Sequence, residues 1–265
     1  MESTQTKLVV TSVKNGVMTF ELTFDPGNCY THEMMRQIDE AILQARFDEK
    51  VHVIVIRGSG DKFFCAGADI NMLKKADPTF KYYFCLHANE TLNRLEQTPK
   101  LVIAALNGHC VGGGLEIALA CDLRWARQGR GQLGLPEVTL GVLPGTGGTA
   151  RLTRVVGRAR ALELMITGDK LDFERARELG LVHEVLPAAG FLDDVLQRAA
   201  RLCPPHKASQ AVGLIKRSVV SGGEMGFHEH LALERELQQR LFTGSDAAEG
   251  FAAFNEKRPP RFEGR

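Results

Sequence analysis

The apolar-rich segments Lys7–Val13 and Val17–Phe24 read as two strands on either side of Asn15-Gly16, a dipeptide suited to a tight hairpin turn. The chain is thus predicted to open on paired strands. After Asp25-Pro26-Gly27 the spacing changes: Met34, Met35, Ile38, Ile42 and Leu43 recur at helical intervals across 31–45, and 51–56 reads as a short buried strand. The order then repeats. A helical stretch ends over 90–96, an apolar strand follows at 101–106, and helical periodicity resumes at 115–120 directly after three glycines. Strands alternating with helices predict right-handed crossovers and a largely parallel sheet, an α/β fold. From Arg158 onward the pattern reads as helical throughout, over 159–166, 173–179, 191–202 and 206–220, with the sheet complete before it. A Gly222-Gly223 break, a long helix at 227–241 and a last helix around 247–255 complete a C-terminal helical subdomain, residues 196–265, after a core of residues 1–195.

Composition narrows the class of protein. A chain of 265 residues with 44% hydrophobic and 25% charged residues can bury one main core. Thirty-three basic against thirty-two acidic side chains leave a net charge of +1, so no global field points to nucleic acid or to an anionic membrane. The six cysteines are widely spaced and form no CxxC pair, and no histidine cluster has zinc-ligand spacing, so no metal is expected. No segment has the length and apolarity of a membrane span, and MESTQTKLVVTSVKNG lacks a basic stretch followed by an apolar run. Free thiols in the cytoplasm are the expectation.

The candidate chemistry gathers at two glycine-rich strand-to-helix junctions, Phe63-Phe64-Cys65-Ala66-Gly67-Ala68-Asp69 and Gly112-Gly113-Gly114-Leu115-Glu116. Glycine permits close backbone approach, and a helix N-terminus offers unpaired N–H donors, so two such junctions can converge on one carbonyl oxygen. Taken singly, such loops more often only make tight turns. Phosphate binding is disfavoured: the triplet lacks GxGxxG spacing, and no Gly-Lys-Ser/Thr follows. Glu116 lies in the first helical turn of an apolar string, where a carboxylate serves equally as a dipole-stabilising residue or as a catalytic one. Glu137, behind Gly134-Leu135-Pro136, is similarly open between helix initiation and catalysis. The residues alone leave both choices open.

Over nearly its whole length the chain resembles the crotonase (enoyl-CoA hydratase/isomerase) family. The matching blocks are FFCAGADI at 63–70, IAALNGHCVGGGLEIALACDLRWA at 103–126, LPEVTLGVLPGTGGTARL at 135–152, ALELMITGDKLDFERARELGLVHEVLP at 161–187 and EGFAAFNEKRPPRF at 249–262. The resemblance implies a ββα spiral whose C-terminal helices take part in a homotrimer or a dimer of trimers, with an acyl-CoA thioester as substrate. It further implies Ala68 and Gly113 as the peptide N–H pair holding the thioester carbonyl, and Glu116 and Glu137 as the two glutamates of the family's hydratases. By the same analogy Glu116 handles the water attacking C3, and Glu137 exchanges a proton at C2. Ala66, Asp69, Ile70 and Gly145 match positions around the substrate, and Phe254 and Lys257 match residues that approach the CoA of the same or a neighbouring subunit. No cofactor is implied, because the thioester is itself the substrate.

The chain departs from the family pattern at 22–30, where only Asn28 of the usual run is retained, and at Arg127–Gln132, which holds an extra residue. Tyr30 reads either as a group narrowing or polarising the acyl pocket or, more commonly for such a position, as a packed aromatic at a strand-to-helix corner. His109 and Cys110 read as structural, since no acidic partner lies nearby in sequence. Competing activities are enoyl-CoA isomerisation and acyl-CoA hydrolysis. A non-catalytic RNA-binding relative and a dinucleotide-binding oxidoreductase are the alternatives from other classes, disfavoured by the charge balance and the glycine spacing.

Overall fold

A computed structural model describes residues 6–129 and 131–265. The first five residues of the leader reading, and Arg130 within the Arg127–Gln132 departure, lie outside the described residues. Strands β1 (Val9–Lys14) and β2 (Val17–Leu22) pair antiparallel. Their turn places both Asn15 (φ 51°) and Gly16 (φ 78°) in the left-handed region, as a primed hairpin turn requires. Helix α1 (His32–Phe47) begins where the Thr31 hydroxyl accepts the Met34 N–H at 3.1 Å.

The chain then makes three turns of one pattern, strand, short strand, helix. The first is β3 (Val53–Gly58), β4 (Phe63–Cys65) and the helices α2 (Ile70–Lys75) and α3 (Pro78–Glu96). The second is β5 (Leu101–Leu106), β6 (His109–Val111) and α4 (Gly113–Leu119). The third is β7 (Leu123–Arg127), β8 (Gln132–Gly134), a single 3₁₀ turn at Glu137–Leu140, and the helices α5 (Gly148–Val156) and α6 (Arg158–Thr167).

The chain closes with β9 (Leu171–Asp172), α7 (Phe173–Glu178), β10 (Glu184–Leu186), α8 (Phe191–Ala200), α9 (Ser209–Gly222), α10 (Phe227–Phe242) and α11 (Ser245–Glu256). The longer strands form a six-stranded sheet, β1-β2-β3-β5-β7-β10, parallel from β2 onward. The short strands form a second sheet, β4-β6-β8-β9, parallel except for β9. Because β4, β6 and β8 neighbour one another, the loops that follow them are stacked at one place.

One expectation needs correction. The sheet is not complete before Arg158: Glu184 pairs beside Trp125, extending the large sheet, and Leu171 beside Leu133, extending the small one. Runs of two and three residues are too short to carry a period-two signal, so only their partners reveal them. As expected, a helix ends over 90–96; it is nineteen residues long and starts at Pro78, where the Asp77 carboxylate caps it by accepting the Phe80 N–H at 2.8 Å.

Alternate residues of the central strands face opposite cores. Ile54, Ile56, Val102 and Ala104 pack with α1, α3 and α4, whereas Val53, Val55, Ile103 and Ala105 pack under Phe191, Val195 and Ala199 of α8. Val195 therefore sits inside a helix that covers the sheet. Helix α9 is tied back to the sheet by Lys216, whose ammonium lies 2.8 Å from Asp122 Oδ2 and donates to the carbonyls of Lys100 (3.1 Å) and Leu95 (3.3 Å).

Candidate active site

The loop after β4 is held by Tyr30. In a parallel bridge between Tyr30 and Ala68, the Tyr30 N–H donates to Gly67 O (2.9 Å) and the Asp69 N–H donates to Tyr30 O (3.0 Å). In this geometry the middle residue's own N–H points away from the bridge. Among the described residues, the Ala68 N–H donates to no protein acceptor. The loop after β6 turns at Gly112, whose φ of 56° favours glycine and whose N–H donates to Gly134 O at 2.8 Å. Gly113 then starts α4, so its N–H has no acceptor one turn back and is likewise unpaired among the described residues. The two junctions touch: a Cβ placed on Gly67 would lie 3.3 Å from Gly113 N.

Glu116 projects from the first turn of α4 and is only 2% exposed. Burying a carboxylate there requires donors, and the loop before α5 supplies them. Its Oε1 accepts the N–H groups of Thr146 and Gly148, both at 2.8 Å, and its Oε2 accepts the Thr146 hydroxyl. A one-turn segment thus wraps the carboxylate.

Glu137 begins the 3₁₀ turn and reaches back over the glycine triplet, with Oε1 2.9 Å from where a Cβ on Gly112 would stand. Its Oε2 is buried and has no partner among the described residues. Burial, chiefly, raises its carboxyl to about 7. A hydrogen bond from its own backbone lowers it, the charge of Glu116 raises it further, and Lys81 lowers it. An orphaned buried carboxyl oxygen titrating near neutrality is suited to exchange protons with a ligand.

Both glutamates face one cavity of about 190 Å³. Ala66, Ala68, Ile70, Gly113 and Gly145 line it too, together with Leu140, Val142 and Leu143 on the wall beyond the 3₁₀ turn. Three further positions expected near the substrate lie elsewhere in the single chain. Asp69 caps α2, its carboxylate accepting the Met72 N–H at 2.6 Å, and it does not line the cavity. Phe254 belongs to a separate apolar groove with Phe242, Phe251 and Phe262, and Lys257 ends α11. His109 packs its ring on Phe63 at 5.4 Å, and burial pushes the neighbouring Cys110 thiol well above the usual range, leaving no thiolate.

Sequence reasoning missed Thr146 and Lys81, and it weighed Tyr30 mainly as packing. Thr146 sits within Pro144-Gly145-Thr146-Gly147, inside a quoted family block, yet nothing in its spacing says that it meets a residue thirty positions earlier. Lys81 lies in the first turn of α3, far in sequence from both glutamates.

Two unpaired peptide donors and two carboxyls, mounted on stacked strand-to-helix turns, thus face one cavity, an arrangement chemically able to polarise a carbonyl and to exchange protons beside it. Residues 12–265 match the family model described as enoyl-CoA hydratase/isomerase, and the chain belongs to that family. A crystal structure of an enoyl-CoA hydratase from Geobacillus kaustophilus superposes with a TM-score of 0.95 at 43% identity, covering 99% of this chain and 98% of that one. The short-chain-enoyl-CoA hydratase of Clostridium acetobutylicum is 34% identical over 87% of both chains, and the mitochondrial enoyl-CoA hydratase of Pongo abelii is 35% identical over 89% of this chain and 79% of its own. The α/β ββα spiral followed by C-terminal helices is thus the crotonase fold.

Proposed function

We propose that the chain is an enoyl-CoA hydratase, adding water reversibly across the 2,3 double bond of an enoyl-CoA thioester. The observation that carries this reading is the pair of glutamates facing the cavity in which the Ala68 and Gly113 N–H groups stand unpaired. The thioester oxygen accepts both N–H groups, which are fixed by the Tyr30 bridge and by the start of α4 and need no reorganisation as charge builds there. Glu116 takes a proton from water as its oxygen bonds to C3. The electrons of the double bond move into an enolate, and the Glu137 carboxyl delivers its proton to C2. A carboxyl near 7 is present in both forms at neutral pH, which serves hydration and dehydration alike.

The reading calls on no cofactor. It also takes the protein to be a homotrimer or dimer of trimers. Exposed Phe242, Phe251 and Phe254 on the C-terminal helices support an interface there, through which Phe254 and Lys257 reach a neighbour's CoA. Free cysteines support a reducing compartment such as the cytoplasm.

The test is incubation with a panel of 2-enoyl-CoA and 3-enoyl-CoA thioesters in ¹⁸O-labelled water, with products identified by mass. Labelled 3-hydroxyacyl-CoA is expected. Double-bond migration without label uptake would assign an isomerase, and labelled free acid a hydrolase.

A further inference from the structure

The departure at residue 30 has its hydroxyl inside the site. Tyr30 is 2% exposed, with its ring stacked on Phe84 at 5.6 Å between centroids and 8° between planes. It also packs so closely on Gly113 that a Cβ there would overlap the ring. Packing therefore accounts for the ring but not for the hydroxyl, a polar group whose burial is costly without a partner. That partner is Thr146 Oγ1, at 3.3 Å.

A threonine hydroxyl has one proton, and here it goes to Glu116 Oε2. The Tyr30 hydroxyl must therefore be the donor to Thr146, and the direction of the chain is fixed as Tyr30 to Thr146 to Glu116. Burial, with the charge of Glu116 next, holds the Tyr30 phenol well above its usual range, so it stays a donor. At the far end, Oε1 of Glu116 is occupied by two peptide N–H groups, leaving Oε2 as the oxygen with a free lone pair.

We propose that Tyr30 and Thr146 are positioning residues, a two-hydroxyl relay that orients Glu116 so that Oε2 is the oxygen presented to water. The proposal rests on the assignment of Glu116 to the water-handling role. Each hydroxyl polarises the next, so the threonine is a stronger and better oriented donor with the tyrosine behind it than alone. The relay acts on the chemical step and not on affinity for the thioester, because neither hydroxyl is asked to touch the CoA.

The experiment compares Tyr30→Phe, Thr146→Val, Thr146→Ser, the Tyr30→Phe/Thr146→Val double variant and Glu116→Gln in steady-state hydration of a short 2-enoyl-CoA. Thr146→Val should lower kcat about tenfold or more, the scale of one hydrogen bond to a charged group, with KM changed less than about twofold. Thr146→Ser should recover most of the loss, and Tyr30→Phe should lower kcat roughly three- to fivefold. The decisive comparison is the double variant, which should be no slower than Thr146→Val alone, since the tyrosine acts only through the threonine. Tyr30→Phe keeps the stacked ring and so remains informative even if Thr146→Val fails to fold. A wild-type kcat in Tyr30→Phe, or losses that multiply in the double variant, overturns the relay. Should Glu116→Gln be inactive while Tyr30→Phe and Thr146→Val turn over normally, the relay alone falls; an active Glu116→Gln removes the underlying assignment and the relay with it.

Discussion

Replacing Glu137 by Gln should abolish most hydration and, above neutral pH, make the folded protein more stable. The glutamine keeps the shape of the side chain but carries no exchangeable acid proton, and losing a general acid/base group costs about 10²- to 10⁴-fold in rate. The stability change follows from the raised carboxyl. Moving it from 4.5 to about 7 sets roughly 3 kcal/mol against the ionised form in the folded state, at 1.36 kcal/mol per tenfold. The side chain is partly open to the cavity, and solvent screening reduces this to about 1–2 kcal/mol.

The sign is fixed by which state holds the proton. Below about pH 4.5 the folded and unfolded chains both hold it, and there is no penalty. Between about 4.5 and 7 the folded state keeps a proton that the unfolded state has released, so wild-type stability falls as pH rises. Above about 7 the penalty is complete. Glutamine never carries it. For 265 residues, an unfolding entropy of about 2.1 cal/mol/K per residue converts the gain to about 2–4 °C in Tm near pH 8, with a smaller gain near pH 5.5. Thermal scans of both proteins across this range, with circular dichroism to verify the fold, make the comparison. A Tm difference that is unchanged between the two pH values, or a variant less stable at both, would refute the view of Glu137 as an acid stored in a desolvating site.

Other outcomes follow from the same geometry. Glu116→Gln should lower hydration at least about 10²-fold with the fold intact by circular dichroism, and near-wild-type turnover would take the residue out of the mechanism. The carbonyl stretch of a bound enoyl-CoA should shift to lower frequency in difference infrared spectra; no shift in a productive complex would mean that the Ala68 and Gly113 donors are misassigned. Lys216→Ala should destabilise the protein by about 3–5 kcal/mol in urea denaturation, because Asp122 would remain buried without its cation. A change below about 1 kcal/mol would show that α9 is held by its apolar face alone.

The alternation of strands and helices, the hairpin at Asn15-Gly16 and the placing of Glu116 at a helix start were legible in the sequence because each depends on near neighbours, through side-chain periodicity, positive φ and the orphan donors of a helix end. Family blocks extended that reading to the stacked ββα turns. What the sequence could not decide were the relations between segments far apart. β9 and β10 are too short to announce themselves and exist through partners some forty to sixty residues earlier. The helix that Asp69 caps could not be seen from its spacing, and Phe254 and Lys257 lie away from the cavity in a single chain. The raised carboxyl of Glu137 comes chiefly from burial, with Glu116 and Lys81 acting on it from two other helices, and the orientation of Glu116 comes from Thr146 and, behind it, Tyr30, thirty and eighty-six positions away. Local sequence fixes which donors and acids exist; only the packing of distant loops decides which of them are desolvated, which are paired and which are left free to act.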